Sequence, residues 1–124
     1  MTQEDKELLL KDLCARLPYG VIVLDEPAGY FGKLLRIDFD SFYYDGEEDE
    51  EWQTIWNVKP YLRPMSSMTE EERKYYNYLS RLIQDGEAWE HEVVDWLNKH
   101  HFDYRGLIEK GLALEAKEGM YKFE

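Results

Sequence analysis

Segments with strand character occupy this chain between Gly20 and Val58, segments with helical spacing occupy 69–101, and Pro60 and Pro64 stand between them. Side chains on a strand alternate with period two, and those on a helix recur every 3.6 residues. Two prolines four residues apart exclude a regular helix or a central strand, so 60–68 reads as irregular. Strands followed by helices confine the chain to an α+β architecture.

An N-terminal helix is expected over about 3–16. Thr2 and Asp5 stand as a capping box, and Leu9, Leu10, Leu13, Cys14 and Leu17 form an apolar stripe that Pro18 and Gly20 end. Cys14 lies on that stripe and is expected to be buried. The β-branched run 20–24 is a strand, and 25–29 is a turn. Over 32–39, Leu35, Ile37 and Phe39 alternate with Arg36 and Asp38, which predicts a half-buried strand with the first three facing inward. Phe42, Tyr43 and Tyr44 extend the sheet. A third strand is predicted over 52–58, with Trp52, Thr54, Trp56 and Val58 on one face. The sheet is therefore expected to be three-stranded and antiparallel.

Thr69 with Glu72 is a second capping box, and Tyr75, Tyr78, Leu79, Leu82 and Ile83 fall at i, i+3, i+4, i+7 and i+8. This predicts a helix ending at Asp85-Gly86. Another is expected over about 87–101, with Trp89, Val93, Trp96, Leu97 and His100 on one face. A short one capped by Asp103 should run over 104–110, with Gly111 beyond its end, and 120–123 suit a last short strand. No linker divides the chain, so residues 1–124 read as one domain with the C-terminal helices packed on one sheet face.

The net charge is −12, with 14 acids against 6 bases before Pro60 and 13 against 9 after it. Such a field repels nucleic acid and anionic membranes and attracts basic partners. One cysteine allows no internal disulfide, and the acidic N-terminus lacks a signal peptide's basic region, so a cytoplasmic setting is expected.

Chemistry-bearing patterns are absent from the sequence. His91, His100 and His101 lack the spacing of a zinc helix, and no Cys pair assists them. The acids do not follow the calcium-loop template. Gly29 and Gly32 make neither dinucleotide fingerprint nor P-loop, and Ser41, Ser66 and Ser67 sit in no nucleophile elbow. No cofactor, metal or catalytic residue is expected. The order of helices would suit a winged helix, yet 87–101 carry one lysine against four acids, which disfavours DNA.

Six carboxylates, Asp45, Glu47, Glu48, Asp49, Glu50 and Glu51, fall within seven residues. Like charges this dense predict an exposed loop. Spaced carboxylates can also imitate a nucleic-acid phosphate array and occupy a basic channel. Trp52, Trp56, Trp89 and Trp96 are expected in the core. Tyr43, Tyr44 and Tyr61, wherever exposed, would be anchors for a partner, because Tyr and Trp dominate binding hot spots.

Two segments, PYLRPMSSMTEEE (60–72) and HHFDYRGLIEKGLALEA (100–116), resemble stretches of small proteins carried by bacteriophages and mobile elements of gut bacteria of the Bacteroides group. The resemblance covers most of the chain outside about 25–57, and it carries no functional residues with it. It implies a genomic setting in which small acidic proteins often bind and inhibit host machinery. The resulting expectation is a non-catalytic protein-binding module. Its sharper form is an inhibitor of a basic host nucleic-acid enzyme, of anti-CRISPR kind, acting through 45–51 with Tyr43 and Tyr44. The alternatives are a small-ligand binder or enzyme with a site between sheet and helices near Trp52, Trp56 or His100, and a phage assembly part.

Overall fold

The computed structural model describes residues 2–39, 41–46, 50–54 and 57–121. Helix α1, Gln3–Arg16, starts at the expected capping box, in which Thr2 Oγ1 accepts from Asp5 N–H and Asp5 accepts from Thr2 N–H. A single turn, Leu17–Tyr19, leads through left-handed Gly20 into β1, Ile22–Asp25, and β2, Tyr30–Asp38. Then come β3, Ser41–Asp45, β4, Glu50–Thr54, and β5, Val58–Leu62. Helix α2, Glu70–Gln84, opens on the Thr69/Glu72 box, and α3, Glu90–Lys99, on Glu92 accepting from Trp89 N–H. A short strand, β6, Leu114–Glu115, closes the set.

The protein is α+β, with helices at both ends of the sequence, but its sheet has six strands in the order β4-β3-β2-β1-β5-β6. Every pairing is antiparallel except β5–β6, which is parallel, so the sheet is mixed rather than three-stranded and antiparallel. The three extra strands are β3, which forms a hairpin with β2, β5, which is separate from β4, and β6. Of these, β5 contains Pro60 and β6 lies toward the C-terminus. Pro60 is accommodated inside β5 because antiparallel hydrogen bonding alternates. Glu26 N–H bonds to the Asn57 carbonyl, so Lys59 and Tyr61 point their backbone groups at β1 while residue 60 points away. On that far side β6 pairs only with Tyr61 and Leu62, so the missing proline N–H leaves no gap in either ladder.

The phase of β2 also departs from simple alternation. A bulge between Leu34 and Arg36 turns Leu34 into the core, at 2% exposure, and Leu35 out of it, at 43%. Phe39 stands 93% exposed beyond the strand end. The expectation that Leu35, Ile37 and Phe39 line the core therefore holds only for half-buried Ile37. The core joins Leu9 and Leu13 of α1 to Val21, Val23, Leu34, Phe42, Tyr44, Val58 and Leu62 of the sheet and to Leu107, Leu112 and Ala113.

Cys14 is exposed, contrary to expectation. The face that α1 buries is Leu9, Asp12, Leu13 and Arg16, and a paired charge takes the place expected of the thiol. Trp52 and Trp89 are exposed rather than in the core, Trp96 is half-buried against Tyr75 and Phe102, and Trp56 lies outside the described residues. Residues 104–110 form turns instead of a helix. Asp103 nevertheless caps them, accepting from Leu107 and Ile108 N–H at 2.8 and 2.9 Å. Met120 and Tyr121 are not in a strand, and 122–124 lie outside the described residues. Among the described residues no helix is long and apolar enough to cross a membrane.

Candidate functional site

Three features stand out beyond the core: the outer face of the sheet, and two clefts that share Tyr121 as a wall. The outer face follows from register. Phe42 and Tyr44 point into the core, so Tyr43 points outward, opposite Trp52 on β4 and Arg36 on β2. The Arg36 guanidinium lies 4.0 Å from the centre of the Tyr43 ring. By the same alternation Leu24 projects outward opposite Phe31 and Lys59. Phe31 meets Tyr61 edge-on at 6.3 Å. Phe31, Leu35 and Trp52 are 56%, 43% and 60% exposed, so water touches a row of large apolar groups on this face.

The expected site residues divide. Asp45 is exposed at the end of β3, and Glu50 and Glu51 belong to β4, paired with Asp45 and Tyr44. The acidic run is therefore partly strand and not wholly loop, while Glu47, Glu48 and Asp49 lie outside the described residues. Tyr43 is half-buried on the outer face. Tyr44 is a core residue, with no exposure, and its hydroxyl donates to Asp25 Oδ2 at 2.6 Å. Its inward position corrects the expectation of a surface anchor, because a register that turns Tyr43 out must turn Tyr44 in. Tyr61, 6% exposed, is likewise covered.

The first cleft, about 640 Å³, is lined by Arg63, Glu72, His100 and the 115–119 segment. It lies where the two segments 60–72 and 100–116 pack together. Arg63 N–H donates to the His101 carbonyl and the Arg63 carbonyl accepts from Asp103 N–H. Arg63 grips Glu72 with two hydrogen bonds of 2.9 and 2.7 Å, and these hold the carboxyl down to about 2. His100 Nδ1 lies 3.9 Å from the same carboxylate, yet burial lowers its pKa against that attraction. With Glu72 also capping α2 and gripped by Arg63, the group reads as cement between β5 and α2, not as a general base. Among the described residues no three His, Cys, Asp or Glu side chains converge as metal ligands do.

The second cleft, about 630 Å³, lies on the other side of Tyr121. The Tyr121 hydroxyl accepts from Ile22 N–H at 2.8 Å and donates to the Tyr61 carbonyl at 2.7 Å. It thus bridges β1 and β5 one step beyond their last ladder pair, Val23 and Pro60. The Tyr121 ring stacks on His101 at 4.0 Å. His101 follows His100, the C-cap of α3, and stands in the left-handed region at φ 60°. Its N–H bonds to the Asn98 carbonyl and Phe102 N–H to the Leu97 carbonyl, the helix stop that glycine usually supplies. Gly86 and Gly111 close comparable turns elsewhere in the chain, so no sequence signal marked His101 for this place.

Burial, reinforced by the Arg16 guanidinium and His100, holds His101 neutral, down to about 3, against a backbone hydrogen bond with Tyr19. The unfolded chain protonates this imidazole near pH 6.5 and the folded chain does not, so stability falls as pH drops from 6.5 toward 3. The loss approaches about 1.4 kcal/mol per pH unit. Glu72 adds its own loss only below about 4.5. Between pH 6.5 and 4.5 the histidines dominate the decline, and His101→Asn, which tolerates the left-handed backbone, should flatten it in urea titrations. An unchanged slope in that variant would show that His101 titrates normally.

Compared with known proteins, the chain matches no family model, no curated protein and no solved structure.

Proposed function

We propose that this chain is a non-catalytic protein-binding module that docks through the outer face of β2–β4 and the hairpin tip at Phe39. The observation that carries the reading is Phe39. The strands β2 and β3 pair Asp38 with Ser41, which leaves a two-residue turn. Such turns favour Asn, Asp or Gly, because a side chain at positive φ costs about 1–2 kcal/mol. Here a phenylalanine takes φ 55° and is 93% exposed. It breaks a local rule twice, in backbone and in solvation, and gains nothing inside the fold. Such residues concentrate at sites selected for contact. The exposed Phe31, Leu35 and Trp52 on the same ribbon extend the apolar surface.

The acids of 45–51 flank that ribbon at the β3–β4 connection and favour a basic partner. This supports the narrower proposal of an inhibitor that occupies the channel of a host nucleic-acid enzyme by charge mimicry, in the phage or mobile-element setting the two segments suggest. A filled core between sheet and helices favours such a module over an enzyme with its site there.

The test is capture of a partner by the tagged protein from bacterial lysate, at low and moderate salt, with Phe39→Asn alongside. This variant is expected to unfold at the same or higher denaturant concentration, by up to about 1 kcal/mol, while capture drops about tenfold or more. Retained capture in Phe39→Asn would overturn the docking face. Amide replacement of Asp45, Glu47, Glu48, Asp49, Glu50 and Glu51 is expected to abolish the salt-sensitive part. Unaltered salt sensitivity would overturn the mimicry.

A further inference from the structure

We propose that the cleft beside Tyr121 is a binding site for a small molecule that joins a planar ring to a phosphate group. It lies between the Leu17–Tyr19 turn, β2 at Phe31–Lys33, the end of α3 and residues 120–121. The argument begins with charge. The chain holds 27 acids and 15 bases, yet the described lining of this cleft includes Lys33 and Lys99 and no carboxylate. Across Tyr121 the balance reverts, and the other cleft presents Glu71, Glu72, Glu115 and Glu118. Neither Lys33 nor Lys99 is ion-paired with a described residue. Two lysines that line one cleft with no counter-ion among the described residues suit a phosphate, which lysine binds as a point charge.

The remaining surface suits a ring. Phe31 and Tyr19, 56% and 36% exposed, line the cleft, and neutral His101 stacked on Tyr121 lines it as well. Gly20 keeps a side chain out of it. A Cβ at Gly20 would stand 3.3 Å from Lys33 Cε, so the lysine stem lies along a backbone stripped of its side chain. A volume of about 630 Å³ falls within the range that encloses small ligands. The left-handed, buried His101 adds a strained residue of the kind that persists at ligand sites.

Phe31 belongs both to the docking face and to this cleft, but Phe39 lies outside the cleft, so Phe39→Asn separates the two readings. The probe is phenyl phosphate, titrated into isotope-labelled protein and followed by amide shifts, with inorganic phosphate and phenol as half-ligands. Saturable shifts are expected at Gly20, Gly32, Lys33 and Lys99, with affinity about tenfold or more above either half-ligand. Lys33→Gln and Lys99→Gln should each weaken binding about fivefold or more, and Phe31→Ala should reduce phenyl phosphate to the level of phosphate. Lys110→Gln, away from the cleft, is the control and should change nothing. The absence of saturation by about 10 mM would overturn the site. Shifts spread equally over Lys110 and Lys117, or equal binding of phosphate alone, would overturn it too.

Discussion

Asp12→Ala is expected to cost about 3–5 kcal/mol, the largest loss available from a single exposed-looking acid in this sequence. The Arg16 side chain has no exposure at all. Its Nε donates to Asp12 Oδ2 at 2.9 Å and its Nη2 to the Phe102 carbonyl at 2.7 Å. Arg105 Nε donates to the other Asp12 oxygen at 3.1 Å, and the Tyr104 ring lies 5.4 Å from the Arg16 guanidinium. One carboxylate thus balances two guanidinium groups, one of them wholly buried. Without it the Arg16 charge remains in the interior uncompensated, and charge burial is far more costly than loss of a surface pair. Removing both charges is a different experiment. The double variant Asp12→Leu, Arg16→Met should recover most of the loss, because a buried pair replaced by apolar groups of similar size is often neutral. Urea unfolding of the three proteins decides it. A loss below about 1 kcal/mol in Asp12→Ala would mean that water reaches Arg16 and that the pair is worth no more than a surface one.

Gly32→Ala is expected to cost about 3 kcal/mol, although alanine usually does no harm in a strand. A Cβ at this position would overlap the Asp45 carbonyl oxygen and stand 2.9 Å from its carbon. Both atoms are backbone, so no rotamer change relieves the clash and β3 must shift away from β2. Gly29 is the comparison. It sits in the β1–β2 turn at φ +75°, where an added Cβ meets nothing within 4 Å. Gly29→Ala carries only the left-handed cost of about 1 kcal/mol. The two glycines therefore separate steric exclusion from backbone preference in one pair of denaturation curves. Equal losses would show that β3 moves aside freely. Because Asp45 opens the acidic run, Gly32→Ala should also broaden the amide signals of Tyr44 and Asp45, while Gly29→Ala should not.

The sequence was legible wherever a feature depends on residues within about one helical turn. Both capping boxes are present as read, since Thr2 with Asp5 and Thr69 with Glu72 satisfy each other across three residues. The limits of α1 and α2 follow from them. The β1–β2 turn and the stop at Gly86 are equally local. The acid run was legible as composition but not as structure. Cross-strand pairing draws Asp45, Glu50 and Glu51 into strands that charge repulsion alone would have left as loop.

The candidate sites lay beyond reach for the opposite reason. Leu34 and Leu35 are adjacent leucines, and only the bulge against β3 settles which one is buried. Arg16 joins the core because Phe102, 86 residues away, offers it a carbonyl. Tyr121 bridges Ile22 and Tyr61 across 99 and 60 residues, which is what makes one wall serve two clefts. Pro60 enters a strand because β1 and β6 pair on either side of it without needing its N–H. By itself, then, the sequence determined the α+β class, the starts of α1 and α2 and the excess of negative charge, all of which arise from short-range hydrogen bonding and composition. The tertiary structure alone decided the six-stranded order, the inward turn of Tyr44, and the gathering of Lys33 and Lys99 on one cleft. Each of these depends on pairing partners far away in the chain, and a partner far away leaves no periodic trace near the residue it positions.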